Sequence, residues 1–405
     1  MCFNICGDAR GYYAWLPALF IYHDLNFNFF DSVEMKEPTC GPQVGIPVQD
    51  YRYSFNSRYC DKYYPGASFL MLPFFIIAHC STIFFTPYPP NGYSLLYYKI
   101  MALGGIFYYL CGMLFFLNIL RQLQLNTSQK SLTILFITFG SNILFYSIDE
   151  PVYSHIYSFA LVSAFIYYSL CLRDHFSSKY LFYISFLLGW IFITRPVNIS
   201  VILFLPLLFR KDLKLISRSF VLKPINFLFI CPALIMPLIL CLLYKISTGH
   251  FFIYSYRNEG FNFLNPHVQE YLFSYDNGVL PYTPLLLLPF LFLFAWYKQE
   301  HKNMVLGLSA AILVAMYINC SWWCWWYGYS FGARTLLDFL PLFGILVGLS
   351  LKQSNLKRYY YLVPSYLLCC GLTILLYHQK SHSSFMNKYP ITDYRAAIDS
   401  GLGIK

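Results

Sequence analysis

Long apolar runs separated by short polar breaks dominate the chain. A helix crossing a bilayer needs roughly 20 mostly apolar residues. Runs of about that length occupy approximately 95–120, 131–148, 153–172, 180–194, 196–209, 225–244, 279–297, 303–319, 335–351 and 359–377. The two runs flanking Arg195-Pro196 are short, and proline disfavours one continuous helix there, so a tight turn or broken hairpin is expected. The run 66–85 is long enough to span, but Pro65, Pro73 and Tyr88-Pro89-Pro90 favour a broken, juxtamembrane or re-entrant helix over a full crossing. Tyr12, Tyr13, Trp15, Leu16, Leu19 and Phe20 suit a helix lying in the interface, where amphipathic rings prefer to sit. The pattern predicts an all-α polytopic membrane protein with about ten to eleven spans. Its expected parts are a first outer loop, 1–93, with juxtamembrane or re-entrant helices; a helix bundle, 94–377, with outer loops 148–155, 246–278 and 320–334; and an outer tail, 378–405.

Composition sharpens this reading. The 405 residues are 58% hydrophobic, 21% aromatic and only 11% charged, against about 25% charged in a soluble domain. The net charge of +10 reports positively charged inner loops more than a binding surface. The basic runs are short and lack the dense patch that tracks a phosphate backbone, so nucleic acid is excluded as a partner. Thirteen cysteines are scattered, several of them inside apolar runs, and none shows the Cys/His spacing of a zinc site.

Charge also orients the bundle. Arg121 and Lys130, Arg173 and Lys179, the cluster from Arg210 to Lys223, Lys298 and Lys302, and Lys352 to Arg358 fall in alternate loops, which are therefore expected on the cytoplasmic side. The opposite face receives 148–155, the turn at Arg195, the loop 246–278, the window 320–334 and the tail. Every unusual polar motif falls on that face. The expected location is the cytoplasmic membrane, multi-pass, with the site on the outer or periplasmic side.

Ionisable groups at a membrane boundary are costly to place, which makes them functional candidates. Asp8, in Gly7-Asp8-Ala9-Arg10, is a candidate general base if it stands near an acceptor hydroxyl; an N-cap is the plain alternative. Lys62 precedes an apolar helix, where an ammonium can hold a lipid phosphate as a point charge or simply snorkel. Asp149, Glu150 and His155 sit at a helix boundary. They can contact acceptor or sugar or bind a divalent metal, an option the sequence leaves open; Pro151 at a first helical position favours a merely stabilising role for part of the group. The window Trp322 to Tyr327, followed by Gly328-Tyr329-Ser330-Phe331-Gly332-Ala333-Arg334, offers rings for sugar faces or lipid and a guanidinium shaped for phosphate. An Arg334–Asp338 pair four residues apart is its structural alternative. Arg257 and Glu259, in the long loop with its aromatics and turn signals, are candidate lid residues over the site. Arg195 is expected to be a structural cation.

These windows, in this order, resemble the bacterial branch of the GT-C membrane glycosyltransferases, related to protein O-mannosyltransferases and lipid A aminoarabinose transferases. The resemblance covers nearly the whole chain. It rests on Gly7-Asp8 with Tyr12-Tyr13, Lys62-Tyr63 with Pro65-Gly66, Asp149-Glu150 through His155, and Ser330-Phe331-Gly332-Ala333-Arg334. It implies a GT-C-like bundle and a polyprenyl-phosphate-linked sugar as donor. The acceptor would be a hydroxyl on a glycan, lipid or protein. Asp8 would be the base, and Lys62 and Arg334 would hold the donor phosphate. Asp149, Glu150 and His155 would contact acceptor, sugar or metal, with Tyr329, Arg257 and Glu259 also at the substrate. The family pattern has a transmembrane helix ahead of the first acidic loop, and here Asp8 stands close to the first residue. Membrane lipids are expected partners. A lipid or polysaccharide transporter, or a polysaccharide polymerase or ligase of another membrane fold, is the competing reading.

Overall fold

A computed structural model describes residues 5, 7–36, 50–209, 224–295, 302–328 and 330–382. The chain is mostly helical. Helix α1 (Asp8–Phe20) leads to a two-stranded hairpin, β1 (Arg52–Phe55) and β2 (Arg58–Asp61), in which Arg52 faces Asp61. Asn56 and Ser57, at the turn, have φ of 47° and 65°, the left-handed pair that a two-residue hairpin needs. The larger helices follow: α2 (Gly66–Phe85), α3 (Leu95–Gln122), α4 (Thr127–Phe139), α5 (Ile143–Ile148), α6 (Ser154–Asp174), α7 (Ser178–Thr194), α8 (Ile235–Thr248), α9 (Lys302–Cys320), α10 (Leu340–Gln353) and α11 (Leu356–His382).

Seven helical stretches among the described residues are long and apolar enough to cross a membrane. That is fewer than the ten to eleven the pattern suggests, because breaks at proline and at Gly140-Ser141-Asn142 divide three of the runs and α7 is short. Pro196 and Pro206 turn the expected run 196–209 into a 3-10 stretch, Pro196–Phe204, and a single helical turn. Pro281, Pro284 and Pro289 divide the run beginning at 279 into three short pieces, described as far as 295. Each proline removes a backbone donor and crowds the preceding turn. The run 131–148 is likewise divided, at Gly140-Ser141-Asn142, into α4 and α5.

Contacts along the helices set their directions. Helix α3 runs beside α6 in the same sense: Gly105 meets Pro151, Gly112 meets Phe159 and Ala160, and Gln122 reaches Cys171 at 3.0 Å. Helix α2 runs the other way, with the Tyr108 hydroxyl on the Leu70 carbonyl at 2.8 Å and His79 against Tyr97. It begins where α7 stops, so beyond its first turns it leads away from α6 and α7. It is one continuous helix through Pro73, not the broken element expected. Its outer face exposes Ile76, Ile77, Ile83, Phe84 and Phe85.

The α2–α7 junction depends on a glycine. A Cβ on Gly66 would lie 2.5 Å from the Thr194 backbone nitrogen and 2.6 Å from the Ile193 carbonyl carbon. Neither atom can move without shifting α7. Gly66→Ala is expected to lower stability by about 1–3 kcal/mol, read as a drop in the melting temperature of the purified protein. An unchanged melting temperature would show that the junction is looser than its geometry.

Under α1, the Arg10 Nε lies 3.1 Å from the Glu34 carboxylate, and both side chains are buried. The Tyr51 and Tyr93 hydroxyls donate to the same carboxylate at 2.9 and 3.1 Å. Burial pushes the Glu34 carboxyl up to about 7, and Arg10 and the two hydroxyls counter this only in part. The folded state therefore holds a proton that the unfolded chain releases above about 4.5. Stability should fall as pH rises from about 4.5 to about 7, by an upper bound of about 3 kcal/mol. Glu34→Gln should flatten that slope in melting curves; an equal slope in the variant would place its origin elsewhere.

Candidate functional site

The end of α7, the starts of α1, α2 and α6, the end of α9 and the stretch Arg334–Phe339 meet at one end of the bundle. They enclose a cavity of about 470 Å³. Residues separated by more than three hundred positions are thereby brought side by side.

Asp8 opens α1 and faces this cavity. Its carboxylate accepts the Tyr63 hydroxyl at 2.6 Å on one oxygen and pairs with the Arg334 guanidinium on the other. Burial alone would raise the Asp8 pKa. The charge of Arg334, the Tyr63 hydroxyl and the charge of Lys62 more than offset it, so the carboxyl titrates below its ordinary value. Tyr63 is fixed in turn: its N–H donates to Asp61 at 2.7 Å, and its carbonyl accepts the Trp15 indole N–H at 3.0 Å. Gly11 leaves room for the Tyr63 ring, since a Cβ there would overlap it.

Arg334 is delivered by a tightly turned segment. Tyr327, Gly328 and Gly332 all have left-handed backbone, with φ of 55°, 65° and 65°. Asn277 holds the Trp326 and Gly328 carbonyls at 2.9 Å each, and Asn142 holds the Phe331 carbonyl at 3.0 Å. A strained non-glycine residue maintained by several outside contacts is a common mark of a functional segment. The Arg334 guanidinium lies 5.1 Å from the centre of the Tyr153 ring and 5.8 Å from that of Tyr327.

The structural alternative for Arg334 does not form. Residues 334–339 are a 3-10 helix, in which positions four apart lie about 120° apart around the axis. Arg334 turns to Asp8 and Asp338 turns inward. Asp338 is fully buried; it forms an ion pair with Arg195, whose Nε is 2.9 Å away, accepts Asn198 Nδ2 at 2.8 Å and meets His155 Nδ1 at 2.9 Å. Arg195 also lines the cavity, and its Nη1 donates to the Tyr12 and Ser154 hydroxyls at 3.3 and 3.2 Å.

Lys62 also lines the cavity, and its ammonium is 2.5 Å from Glu259. Glu259 belongs to the loop 254–261, which is stitched to the Trp window: Trp323 N–H donates to the Gly260 carbonyl at 3.0 Å, and Asn262 N–H to that of Ser321 at 2.6 Å. Tyr12, Tyr64, Tyr256, Trp322 and Trp323 add aromatic wall. Beyond the Lys62–Glu259 pair lies a second hollow, of about 460 Å³, which both residues also line.

Of the residues expected at the site, the fold gathers Asp8, Lys62, Arg334 and Glu259. Arg257 is in the second hollow, its guanidinium 4.0 Å from the Tyr53 ring centre and donating to the Ser54 carbonyl at 3.3 Å. Asp149 and Glu150 are half-buried and stand outside the lining of the main cavity, and His155 is inside the protein on Asp338 rather than beside them. Among the described residues no three His, Cys, Asp or Glu side chains gather as a metal would need. Tyr329 lies outside the described residues. Sequence reasoning took Arg195 as a structural cation, and it does pair with buried Asp338, but it also lines the cavity; Tyr63 was named only beside Lys62, and Asp338 only as an alternative partner of Arg334. The available signal was a cation placed at a helix end on the same face as the other motifs.

Comparison with protein-family models, with curated proteins and with solved structures finds no match.

Proposed function

We propose that the protein is a membrane glycosyltransferase that moves a hexosyl or pentosyl group from a polyprenyl-phosphate-linked donor to a hydroxyl acceptor at the outer membrane face. The observation that carries this reading is Asp8, an ionised carboxylate at the edge of a cavity, flanked by Tyr63 and Arg334, with Lys62 and Arg195 also facing inward. A carboxylate there can accept the proton of an incoming hydroxyl. The hydroxyl oxygen attacks the anomeric carbon from the face opposite the phosphate. The bond from that carbon to the phosphate oxygen breaks, configuration inverts, and the electron pair leaves on the polyprenyl phosphate. Fixed cations stabilise the charge that develops on the leaving group. The tyrosine and tryptophan walls suit the apolar faces of a sugar, and a cavity among helix ends suits a donor whose lipid remains in the bilayer.

The test is turnover by the full-length protein in lipid vesicles. Polyprenyl-phosphate mannose and polyprenyl-phosphate arabinose, labelled in the sugar, are supplied with an envelope glycan extract as acceptor. Transfer of label from the lipid phase to a water-soluble or acceptor-bound form is expected for one of them. Absence of both release and transfer, with donor binding also absent, would end the reading.

A further inference from the structure

The cavity holds three cations, and their partners differ in a way that singles one out. Arg334 pairs with Asp8 and Lys62 pairs with Glu259, and both of those carboxylates line the cavity themselves. An anion entering the cavity meets each of these cations together with its counter-charge. Arg195 is arranged the other way round. Its carboxylate partner, Asp338, lies behind it in the protein interior and is fully buried. That carboxylate is held by Asn198 at 2.8 Å and by His155 at 2.9 Å, and Asn198 is itself braced on Ser158 at 2.6 Å. The only other side chains to which Arg195 hydrogen-bonds among the described residues are the neutral hydroxyls of Tyr12 and Ser154, at 3.3 and 3.2 Å. Those distances are long for charge-assisted hydrogen bonds. The guanidinium is thus paired on its Nε side with a buried carboxylate, while the residue itself lines the cavity.

We propose that Arg195 is the resting anchor for the phosphate of the lipid-linked donor, and that Asp338, held by His155 and Asn198, is the positioning residue that aims it. The inference rests on the glycosyl-donor reading and deepens it. Arg195 provides a planar fork that matches two phosphate oxygens. Asp338 holds that fork from a position the solvent does not reach. Arg334 and Lys62 join the phosphate only as their own carboxylates release them, which ties the release of Asp8 to arrival of the donor.

The test is binding, so it needs no turnover. The full-length protein in nanodiscs is titrated with labelled farnesyl phosphate, with farnesol and inorganic phosphate as separate probes. For the wild type, farnesyl phosphate should bind far more tightly than either probe alone. Arg195→Gln should weaken farnesyl phosphate by roughly 30-fold or more and Asp338→Asn by roughly 10-fold, with Arg195→Lys recovering part of the loss. Lys62→Gln should weaken it less than Arg195→Gln does, because Lys62 is already paired with Glu259. Farnesol affinity should be equal in all variants, which shows that the cavity has survived substitution. Arg195→Gln binding farnesyl phosphate within about twofold of wild type, while wild type binds it well, would overturn the anchor and leave the donor reading standing. Inorganic phosphate binding as tightly as farnesyl phosphate, and equally dependent on Arg195, would overturn the lipid-linked source in favour of a small soluble anion. Failure of the wild type to bind farnesyl phosphate at all would take down the donor reading itself.

Discussion

Asp8→Asn should reduce sugar transfer by roughly 10²- to 10⁴-fold in kcat, the range a positioned general base supplies, without weakening the donor. The second half of that expectation makes the experiment specific. The Asp8 carboxylate occupies the Arg334 guanidinium. Removing its charge while keeping its shape leaves Arg334 free to meet a phosphate, so affinity for polyprenyl phosphate should rise as turnover falls. A substitution that merely disturbed the cavity would lower both. Tyr63→Phe is the companion variant. It removes the hydroxyl that donates to Asp8 at 2.6 Å and should cost less, roughly 10-fold, because Arg334 still holds the carboxylate. Near-normal transfer by Asp8→Asn would remove Asp8 from the reaction, whatever its contacts.

How much of this was legible beforehand depended on whether a property is local. The apolar helices and their ends follow from runs of residues, and α3, α6, α9, α10 and α11 lie close to where hydropathy puts them. Repeated prolines overrode length in 196–209 and 279–295, which are chains of short pieces, whereas the single Pro73 and Pro364 leave α2 and α11 continuous. Asp8, Lys62, Arg334 and Glu259 were legible because a charge beside a long apolar run is conspicuous. Their pairing was not. Nothing near Arg334 points to a residue 326 positions away, whereas Asp338, four residues on, looked the natural partner. That pairing, the alternative to a phosphate contact, supposed an α-helix at 334–339, where the backbone is 3-10. The surroundings of Arg195 were hidden for a related reason. Its partner Asp338 and its neighbours Tyr12 and Ser154 come from three other segments, and only their assembly shows what encloses the guanidinium. His155 was singled out with Asp149 and Glu150 because they are close in sequence, but at the start of α6 the imidazole is buried on Asp338 while the two carboxylates are only half-buried.

Arg334→Gln carries the second large effect, and pH reveals it. In the wild type, burial favours the neutral form of Asp8, and the Arg334 charge, with Tyr63 and Lys62, reverses that preference. The base is therefore ionised at every pH above its depressed value. Transfer should be flat through the weakly acidic range, with its acid limb below the ordinary aspartate value of 3.8. The pair also contributes stability that is present above that ordinary value and lost as pH falls through the depressed one. Without the guanidinium, burial is opposed only by Tyr63 and Lys62, and the Asp8 pKa must rise. The acid limb of kcat/KM should move up in Arg334→Gln, so that activity at pH 5 falls relative to pH 8. At pH 8 a loss of roughly 10²-fold should remain, because a cation facing the leaving phosphate is also missing. Arg334→Lys keeps the charge and should restore the position of the limb while recovering only part of the rate, since an ammonium lacks the fork that can serve carboxylate and phosphate together. An acid limb that stays in place in Arg334→Gln would mean that Arg334 does not set the ionisation of Asp8, and the coupling between donor arrival and base release would have to be abandoned.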